Sequence, residues 1–109
     1  MDLVLRSKDK MTMYEAYAVL GVLDADGNLI QSGMTADGGN WAIYDQGPRS
    51  YQTGTDPDGN PVYTTDEYWS PVRWNSGDPT PALPITVTVA WRSDADPQEP
   101  YPEGVAVFA

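Results

Sequence analysis

The chain has 109 residues, the usual length of one compact domain, and it contains neither cysteine nor histidine. Disulfides, thiolate metal sites and catalysis by a Ser–His or Cys–His pair are therefore excluded. Its 16 acidic and 6 basic side chains give a net charge of −10, which repels a phosphate backbone and favours a basic protein as partner, although acidity also keeps a protein soluble.

The first predicted element is a strand at residues 3–5. An uninterrupted apolar run of only three residues precedes the charge of Arg6, which is not typical of a secretory signal peptide. No stretch approaches the roughly 20 consecutive apolar residues of a membrane span. We therefore expect neither a signal peptide nor a transmembrane segment, and no membrane among the partners.

A short helix is predicted after this strand. Thr12 and Glu15 have the spacing of a capping box, in which each side chain satisfies a free backbone N–H at the helix start. Apolar residues follow at helical spacing over 13–20, and Gly21 is a typical helix end. A helix of about two turns needs a sheet to pack on. A strand over residues 17–23 is the competing interpretation.

The pattern Asp-x-Asp-Gly-Asn occurs twice, at residues 24–28 and 56–60. Clustered carboxylates favour calcium, but glycine occupies the fourth position instead of the sixth of an EF-hand loop, and no glutamate occupies the twelfth. A tight turn requires the same residue types, for left-handed backbone and local hydrogen bonds. We interpret both patterns as turns, with the first joining a hairpin, and we expect no metal and no cofactor.

The middle of the chain alternates turns with strand-like segments. A turn at residues 37–40 precedes a predicted strand at 41–44. Residues 49–67 are polar and contain two prolines, which predicts a surface loop or a loose hairpin. Residues 68–74 have strand composition, but Pro71 confines such a strand to an edge or a bulge.

The C-terminal part contains the clearest alternation. Over residues 85–92, Ile85, Val87, Val89 and Trp91 are predicted to face the core and the residues between them the solvent. An acidic, proline-rich connection follows over 93–104. Residues 104–108 are predicted to return as a final strand. These elements predict one α+β domain over residues 1–109, with one short helix on a mainly antiparallel sheet of five to seven short strands, and an all-β sandwich as the alternative.

The aromatic residues are the most unusual feature, with four tryptophans and seven tyrosines against one phenylalanine. Trp41 and Trp91 are predicted to lie in the core. Trp69 and Trp74 are five residues apart, so a regular strand sends them to opposite faces and at least one is expected to be exposed. Tyrosine, tryptophan and arginine dominate binding hot spots. The predicted interface therefore consists of Tyr68, Trp69, Arg73 and Trp74; the alternative is that both tryptophans cover the core.

Enzymatic chemistry lacks a recognisable motif. Asp66 and Glu67 lie beside Tyr68 and Trp69, a mixture of acids and aromatics found in sugar sites, but 16 acids produce such pairs by chance. The glycines at residues 38–39 lack the lysine and the following helix of a phosphate-binding loop. We predict that the protein is not an enzyme.

Four segments carry a resemblance to a known group of proteins. They are Leu-Val-Leu-Arg-Ser-Lys-Asp-Lys at residues 3–10, the helix from Thr12 to Gly21, Asp-Gln-Gly-Pro at 45–48, and Pro-Glu-Gly-Val-Ala-Val-Phe-Ala at 102–109. In their order they resemble short, mostly uncharacterised proteins encoded among the tail and morphogenesis genes of tailed bacteriophages. The resemblance implies a structural or accessory role in the virion or in the host cytoplasm, and it implies no catalytic residues.

Three functions are consistent with these features. The first is a non-enzymatic phage structural or assembly protein that contacts other phage proteins or itself. The second is an acidic inhibitor of a host defence complex, which occupies a basic nucleic-acid-binding groove of a host protein. The third is a carbohydrate-binding module that stacks a sugar on Trp69 or Trp74. None of them requires direct contact with nucleic acid.

Overall fold

The computed structural model describes residues 1–107, of which residues 51 and 64–66 are described by their backbone alone. In chain order the elements are β1 (Asp2–Ser7), α1 (Lys10–Leu20), β2 (Ser32–Met34), β3 (Asn40–Ile43), β4 (Gly47–Thr55), β5 (Pro61–Trp74), a 3-10 helix (Thr80–Ala82) and β6 (Thr88–Arg92). Within this range the strands form one antiparallel sheet in the order β2-β3-β5-β1-β6, and β4 pairs with the N-terminal part of β5. The predicted α+β fold is confirmed, and the all-β alternative is wrong because one segment is helical.

Helix α1 begins two residues earlier than predicted. Its N-cap is Asp9, whose backbone is extended and whose carboxylate accepts a hydrogen bond from the Thr12 N–H at 2.9 Å. The capping box at Thr12 and Glu15 is therefore wrong, because Asp9, three residues before Thr12, is the N-cap and its carboxylate accepts a hydrogen bond from the Thr12 N–H that Glu15 was predicted to bind. The predicted helix end is confirmed: Gly21 has a φ of +75°, a conformation that glycine adopts without steric cost.

The main core lies between α1 and one face of the sheet. Strands β1, β3 and β5 alternate, so that every second side chain enters this core, and α1 contributes its inner face. The strand alternative over residues 17–23 is wrong because the helical spacing places these apolar side chains on the sheet. The buried members are Leu3, Leu5, Met13, Ala16, Tyr17, Val22, Trp41, Ile43, Tyr68, Val72, Trp74 and Val87.

The second face of the sheet is covered by the C-terminal segment. Val105 packs there with Val4 and Trp69, and residues 105–107 form no strand. The Gln46 side chain holds this segment, because its amide donates to the Gly104 carbonyl at 2.8 Å and its carbonyl accepts from the Ala106 N–H at 2.8 Å. The final strand predicted over 104–108 is therefore wrong in its described part, and residue 108 lies outside the described residues.

Strand β6 is shorter than predicted. Ile85 is fully exposed because the chain turns at this point, where the Val87 N–H donates to the Pro84 carbonyl at 3.1 Å. A bulge then pairs Val89 with Leu5 but Trp91 with Val4. The prediction that all four apolar residues of 85–92 share one face is wrong, because this bulge moves Trp91 to the second face.

Pro71 lies in the middle of the sheet and not at an edge. Strand β5 has β1 on one side, while β3 pairs with residues 72–74 and β4 with residues 61–69 on the other. Pro71 therefore faces the break between β3 and β4, where the Tyr44 N–H donates to its carbonyl at 2.9 Å. The prediction of an edge strand is wrong. Proline has no backbone N–H to donate, and at this break neither β3 nor β4 pairs with residue 71, so a central strand tolerates it.

Candidate functional site

The predicted interface residues Tyr68, Trp69, Arg73 and Trp74 all lie on β5. Trp69 and Trp74 face opposite sides of the sheet, as their spacing predicted, but both are buried, with 2% and 7% of their surfaces exposed, and Tyr68 is 8% exposed. The expectation of an exposed tryptophan is therefore wrong, and the alternative that both cover the core holds. The reason is that both sheet faces are covered, one by α1 and the other by the C-terminal segment.

Arg73 is the one member of this set that is partly exposed. It forms a two-point ion pair with Asp2, with nitrogen-to-oxygen distances of 2.8 and 3.0 Å, and these hydrogen bonds hold the pKa of the Asp2 carboxyl below its usual value. A shallow cavity of about 360 Å³ lies beside Arg73, between β2 and β3. Its lining gathers no acid–base pair: Ser32, Gly33, Met34, Asn40, Trp41, Ala42, Arg73 and Asn75.

The other tryptophans are engaged with neighbouring aromatic or cationic groups. Trp41 stacks on Trp74 with ring centres 6.4 Å apart, which confirms its predicted core position. Trp91 lies half-buried on the second face. The guanidinium groups of Arg6 and Arg49 lie 5.7 and 4.2 Å from the centre of the Trp69 ring. A sugar therefore has no open tryptophan face on β5 to stack on.

A polar cluster around Asp45 connects α1 to the break between β3 and β4. The carboxylate accepts hydrogen bonds from the hydroxyls of Tyr14 at 2.6 Å and Tyr68 at 2.5 Å. The Tyr17 hydroxyl lies 3.3 Å from the same carboxylate and donates to the Ser70 hydroxyl at 2.6 Å, within the core. Three tyrosines from two elements thus converge on one acidic side chain.

The electrostatics of this cluster indicate a structural role. Burial, followed by the hydrogen bond to Asp45, raises the pKa of Tyr14 to about 12, and burial also raises the pKa values of Tyr17 and Tyr68. The phenols therefore remain protonated at neutral pH, and the hydroxyls of Tyr14 and Tyr68 donate hydrogen bonds to the two oxygens of the Asp45 carboxylate. The arrangement holds no free base or activated nucleophile.

Sequence reasoning missed this cluster because Asp45 was assigned only to a turn. The available signal was the spacing of Tyr14 and Tyr17, which are three residues apart and so lie on one helix face. Nothing in the sequence indicates that Tyr68, on a distant strand, points to the same acid. The contact between Tyr68 and Asp45 depends on the register of β5 with β1 and β4, which the sequence alone does not determine.

The most distinctive surface feature is a hairpin arm, formed by residues 51–67 of β4 and β5. Residues 49–67 are thus a hairpin, one of the two predicted alternatives, and the polar loop is wrong. Its strands pair from Tyr51 with Thr64 to Thr55 with Pro61, beyond the end of β1. The longest dimension of the molecule is 56 Å, and the radius of gyration of 15.4 Å exceeds the roughly 13 Å of a compact domain of this length. The arm therefore projects from the sheet.

The arm is exposed and acidic. Every side chain from residue 52 to 63 is exposed except that of Asp56, which is partly buried, and none belongs to either apolar cluster. Val62 and Tyr63 are 41% and 62% exposed. The arm sequence contains four acids and no base, namely Asp56, Asp58, Asp66 and Glu67. The arm therefore presents exposed apolar groups beside acids that no basic residue of the arm balances.

Both Asp-x-Asp-Gly-Asn patterns form turns, as predicted. In the first, the Asp24 carboxylate accepts from the backbone N–H groups of Asp26 and Asn28, each at 2.9 Å. In the second, which is the tip of the arm, Asp56 accepts in the same way from Asp58 and Asn60. Among the side chains that the structure describes, which exclude those of residues 64–66, no three acids lie close enough together to hold a metal ion.

Comparisons of the chain with protein-family models, curated proteins and solved structures found no match. In the part of the chain that the structure describes, no helix is both long and apolar enough to span a lipid bilayer. The geometry of the chain itself therefore carries the functional argument.

Proposed function

We propose that the protein is a non-enzymatic structural or assembly protein of a tailed bacteriophage, and that it acts through protein–protein contacts made by the hairpin arm. The observation that carries this proposal is the projection of an exposed two-stranded arm from a sheet whose central strands are covered on both faces. An isolated two-stranded hairpin is only marginally stable in water, so a long one is best explained by a partner that completes it. The phage setting rests on the resemblance of the four sequence segments.

The internal use of the polar groups supports a non-enzymatic role. Asp45 accepts hydrogen bonds from tyrosine hydroxyls, and the acids of the two turns accept hydrogen bonds from backbone N–H groups. These carboxylates stabilise the fold, which leaves them poorly placed for proton transfer.

The charge of the arm favours a different, basic protein over self-association. Two arms of this chain bring together eight carboxylates and no cation, which is unfavourable at short range. A basic segment on another protein gains from the same charges and associates faster at low salt.

The test is an affinity capture from native lysate, analysed by mass spectrometry, with three forms of the tagged protein. The first is the wild type. The second lacks the arm: residues 52–63 are replaced by Asn-Gly, joining Tyr51 to Thr64, which already pair. The third, Gly54→Ala, is a control with full-length arm, because a methyl group at this position contacts nothing within 4 Å.

The expected result is that the wild type and Gly54→Ala recover the same basic phage structural proteins and that the armless form recovers none of them. Equal recovery by all three forms contradicts a role of the arm. Recovery of no phage protein by any form contradicts the phage setting.

A second function is supported by the position of the acids. Asp56 and Asp58 lie at the tip of the arm. The tip is the part of the arm that enters a basic nucleic-acid-binding groove of a host protein first. An inhibitor of this kind competes with nucleic acid for its target, with an affinity that falls steeply as salt rises. A captured protein that binds nucleic acid equally well with and without the chain excludes this function. The carbohydrate-binding function loses its basis, because Trp69 and Trp74 are buried.

A further inference from the structure

We propose that the outer edge of β5 along the arm accepts an extended basic segment of the partner as an additional strand. The inference rests on the proposed function, since it specifies how the arm makes its contact. Its physical basis is a row of backbone groups that the sheet leaves without a neighbouring strand.

The geometry follows from where β1 ends. Strand β1 pairs with β5 only over residues 68–73, and the chain then enters α1. Within residues 1–107, no strand pairs with the arm portion of β5 on the β1 side. An added strand therefore finds an empty position in the sheet, in line with β1.

The alternation of the ladder shows which backbone groups face this position. At the turn, the Asp56 N–H donates to the Asn60 carbonyl at 2.9 Å, so residue 60 faces β4. Residues 62, 64 and 66 then face β4 as well, whereas 61, 63 and 65 face outward. The Thr53 hydroxyl, which donates to the Val62 carbonyl at 3.4 Å, agrees with this assignment.

Two features bound the open edge. Pro61 has no N–H to offer at the distal end, and Glu67 has a φ of +48° that interrupts the regular strand at the proximal end. Between them lie residues 62–66. Five residues are close to the average length of a strand, so the edge matches one short extended segment.

The occupant is assigned by charge. The edge lies between the two acids of the tip and the acids at residues 66–67, with no base in the arm. At the base of the arm, Arg6 pairs with Glu67 at 3.0 Å and Arg49 is the ladder partner of Asp66, so the added charge of a basic segment acts mainly on the acids of the tip. An extended segment with a lysine or arginine at every second residue places cations beside these acids while its backbone pairs with β5. A second copy of this acidic arm places carboxylates there instead, which is unfavourable.

The other edges of the sheet are less suited to strand addition. Strand β2 has three residues, and the Arg92 carbonyl at the end of β6 already accepts from the Gln98 side chain at 2.8 Å. Among residues 1–107, β4 also has no strand on its outer side, but a bulge between Gln52 and Gly54 interrupts it. The arm portion of β5 thus combines a regular open edge with exposed apolar side chains and unbalanced charge.

The experiment uses the full chain and a synthetic probe, the capped peptide Lys-Val-Lys-Thr-Lys-Val-Lys, with two control peptides. One control has N-methyl groups on alternate residues, which removes backbone donors and keeps the charge. The other replaces lysine by glutamate. Affinity is measured at low salt by isothermal titration calorimetry, and the exchange rate of the Tyr63 amide is measured by NMR with and without peptide.

The matched variants are Tyr63→Pro and Tyr63→Val. Both remove the phenol, but only proline removes the outward N–H, and residue 63 donates nothing to β4. NMR contacts between residues 52 and 63 establish that the hairpin persists in each variant. A further variant, with both Asp56→Asn and Asp58→Asn, measures the part of the affinity that depends on charge.

The expected result is binding of the lysine peptide with slowed Tyr63 exchange, affinity on the order of tenfold lower for Tyr63→Pro than for Tyr63→Val, and no binding of either control peptide. If both lysine peptides bind equally, or both variants bind equally, strand addition is overturned. A wild type that binds neither lysine peptide overturns it as well. In each case the proposed function is judged separately, by whether the armless form still captures its native partner.

Discussion

The hydroxyl of Tyr68 donates to the carboxylate of Asp45 at 2.5 Å, which joins the central strand β5 to the segment between β3 and β4. Tyr14 donates to the other oxygen of the same carboxylate at 2.6 Å, so α1 is connected through the same residue. Asp45 thus links three parts of the chain that are distant in sequence. Its contribution to stability is open to direct measurement.

Asp45→Ala is expected to lower the free energy of unfolding by about 2–4 kcal/mol, because it leaves several partly buried phenols without their charged acceptor. Asp45→Asn, which keeps one acceptor oxygen, is expected to lose about half as much. Urea denaturation followed by circular dichroism measures both. Asp26→Ala, in an exposed turn, serves as the control. A loss for Asp45→Ala no larger than that of the control contradicts the proposed structural role.

The tyrosines of this cluster predict a loss of stability at alkaline pH. Burial and Asp45 raise the pKa of Tyr14 from 10.0 to about 12. A group whose pKa is raised by folding contributes stability that is complete below its unfolded pKa and is lost as pH rises through the folded value. The free energy of unfolding is therefore expected to fall between about pH 10 and pH 12. NMR titration of the Tyr14 ring identifies the group; a midpoint near 10 rules out this account.

The contact of the C-terminal segment with β4 predicts the effect of a single methyl group. Gly104 has a φ of +77°, and a Cβ there lies 3.0 Å from the Ser50 carbonyl oxygen. Gly27 has a similar φ but open space around it. Gly104→Ala is therefore expected to lower the free energy of unfolding by about 1 kcal/mol more than Gly27→Ala. Equal losses in urea denaturation show that the segment yields to the methyl group without cost.

Local chemistry made part of this fold predictable from the sequence. Glycine at the end of α1 and the two Asp-x-Asp-Gly-Asn turns have conformations that few other residues adopt, so their positions were identified correctly. Strand β3 is predictable for a different local reason, because a short segment of strand-forming residues with Trp41 and Ile43 in alternation directly follows a turn. In these segments the structure depends on residues close together in sequence.

Pairing between distant segments could not be predicted in the same way. The bulge at β6 moves Trp91 to the second face, and it arises from the register with β1 and not from its own alternation. Pro71 is tolerated centrally only because β3 and β4 leave a break opposite it. The candidate site was missed for a related reason: the arm lacks an apolar face, so its strands have no alternating pattern to detect.

The last prediction concerns the arm and the stability of the rest of the chain. Replacement of residues 52–63 by Asn-Gly removes no member of either apolar cluster, and it retains the pairing of Tyr51 with Thr64. The free energy of unfolding of this armless form is therefore expected to remain within about 1 kcal/mol of the wild type. Urea denaturation of both forms, followed by circular dichroism, tests this. A loss of several kcal/mol indicates that the arm supports the fold, and a structural role then replaces partner binding as the reason for its length. An unchanged free energy combined with loss of partner capture separates the two roles, because a segment that is dispensable for folding and required for association acts at its own surface.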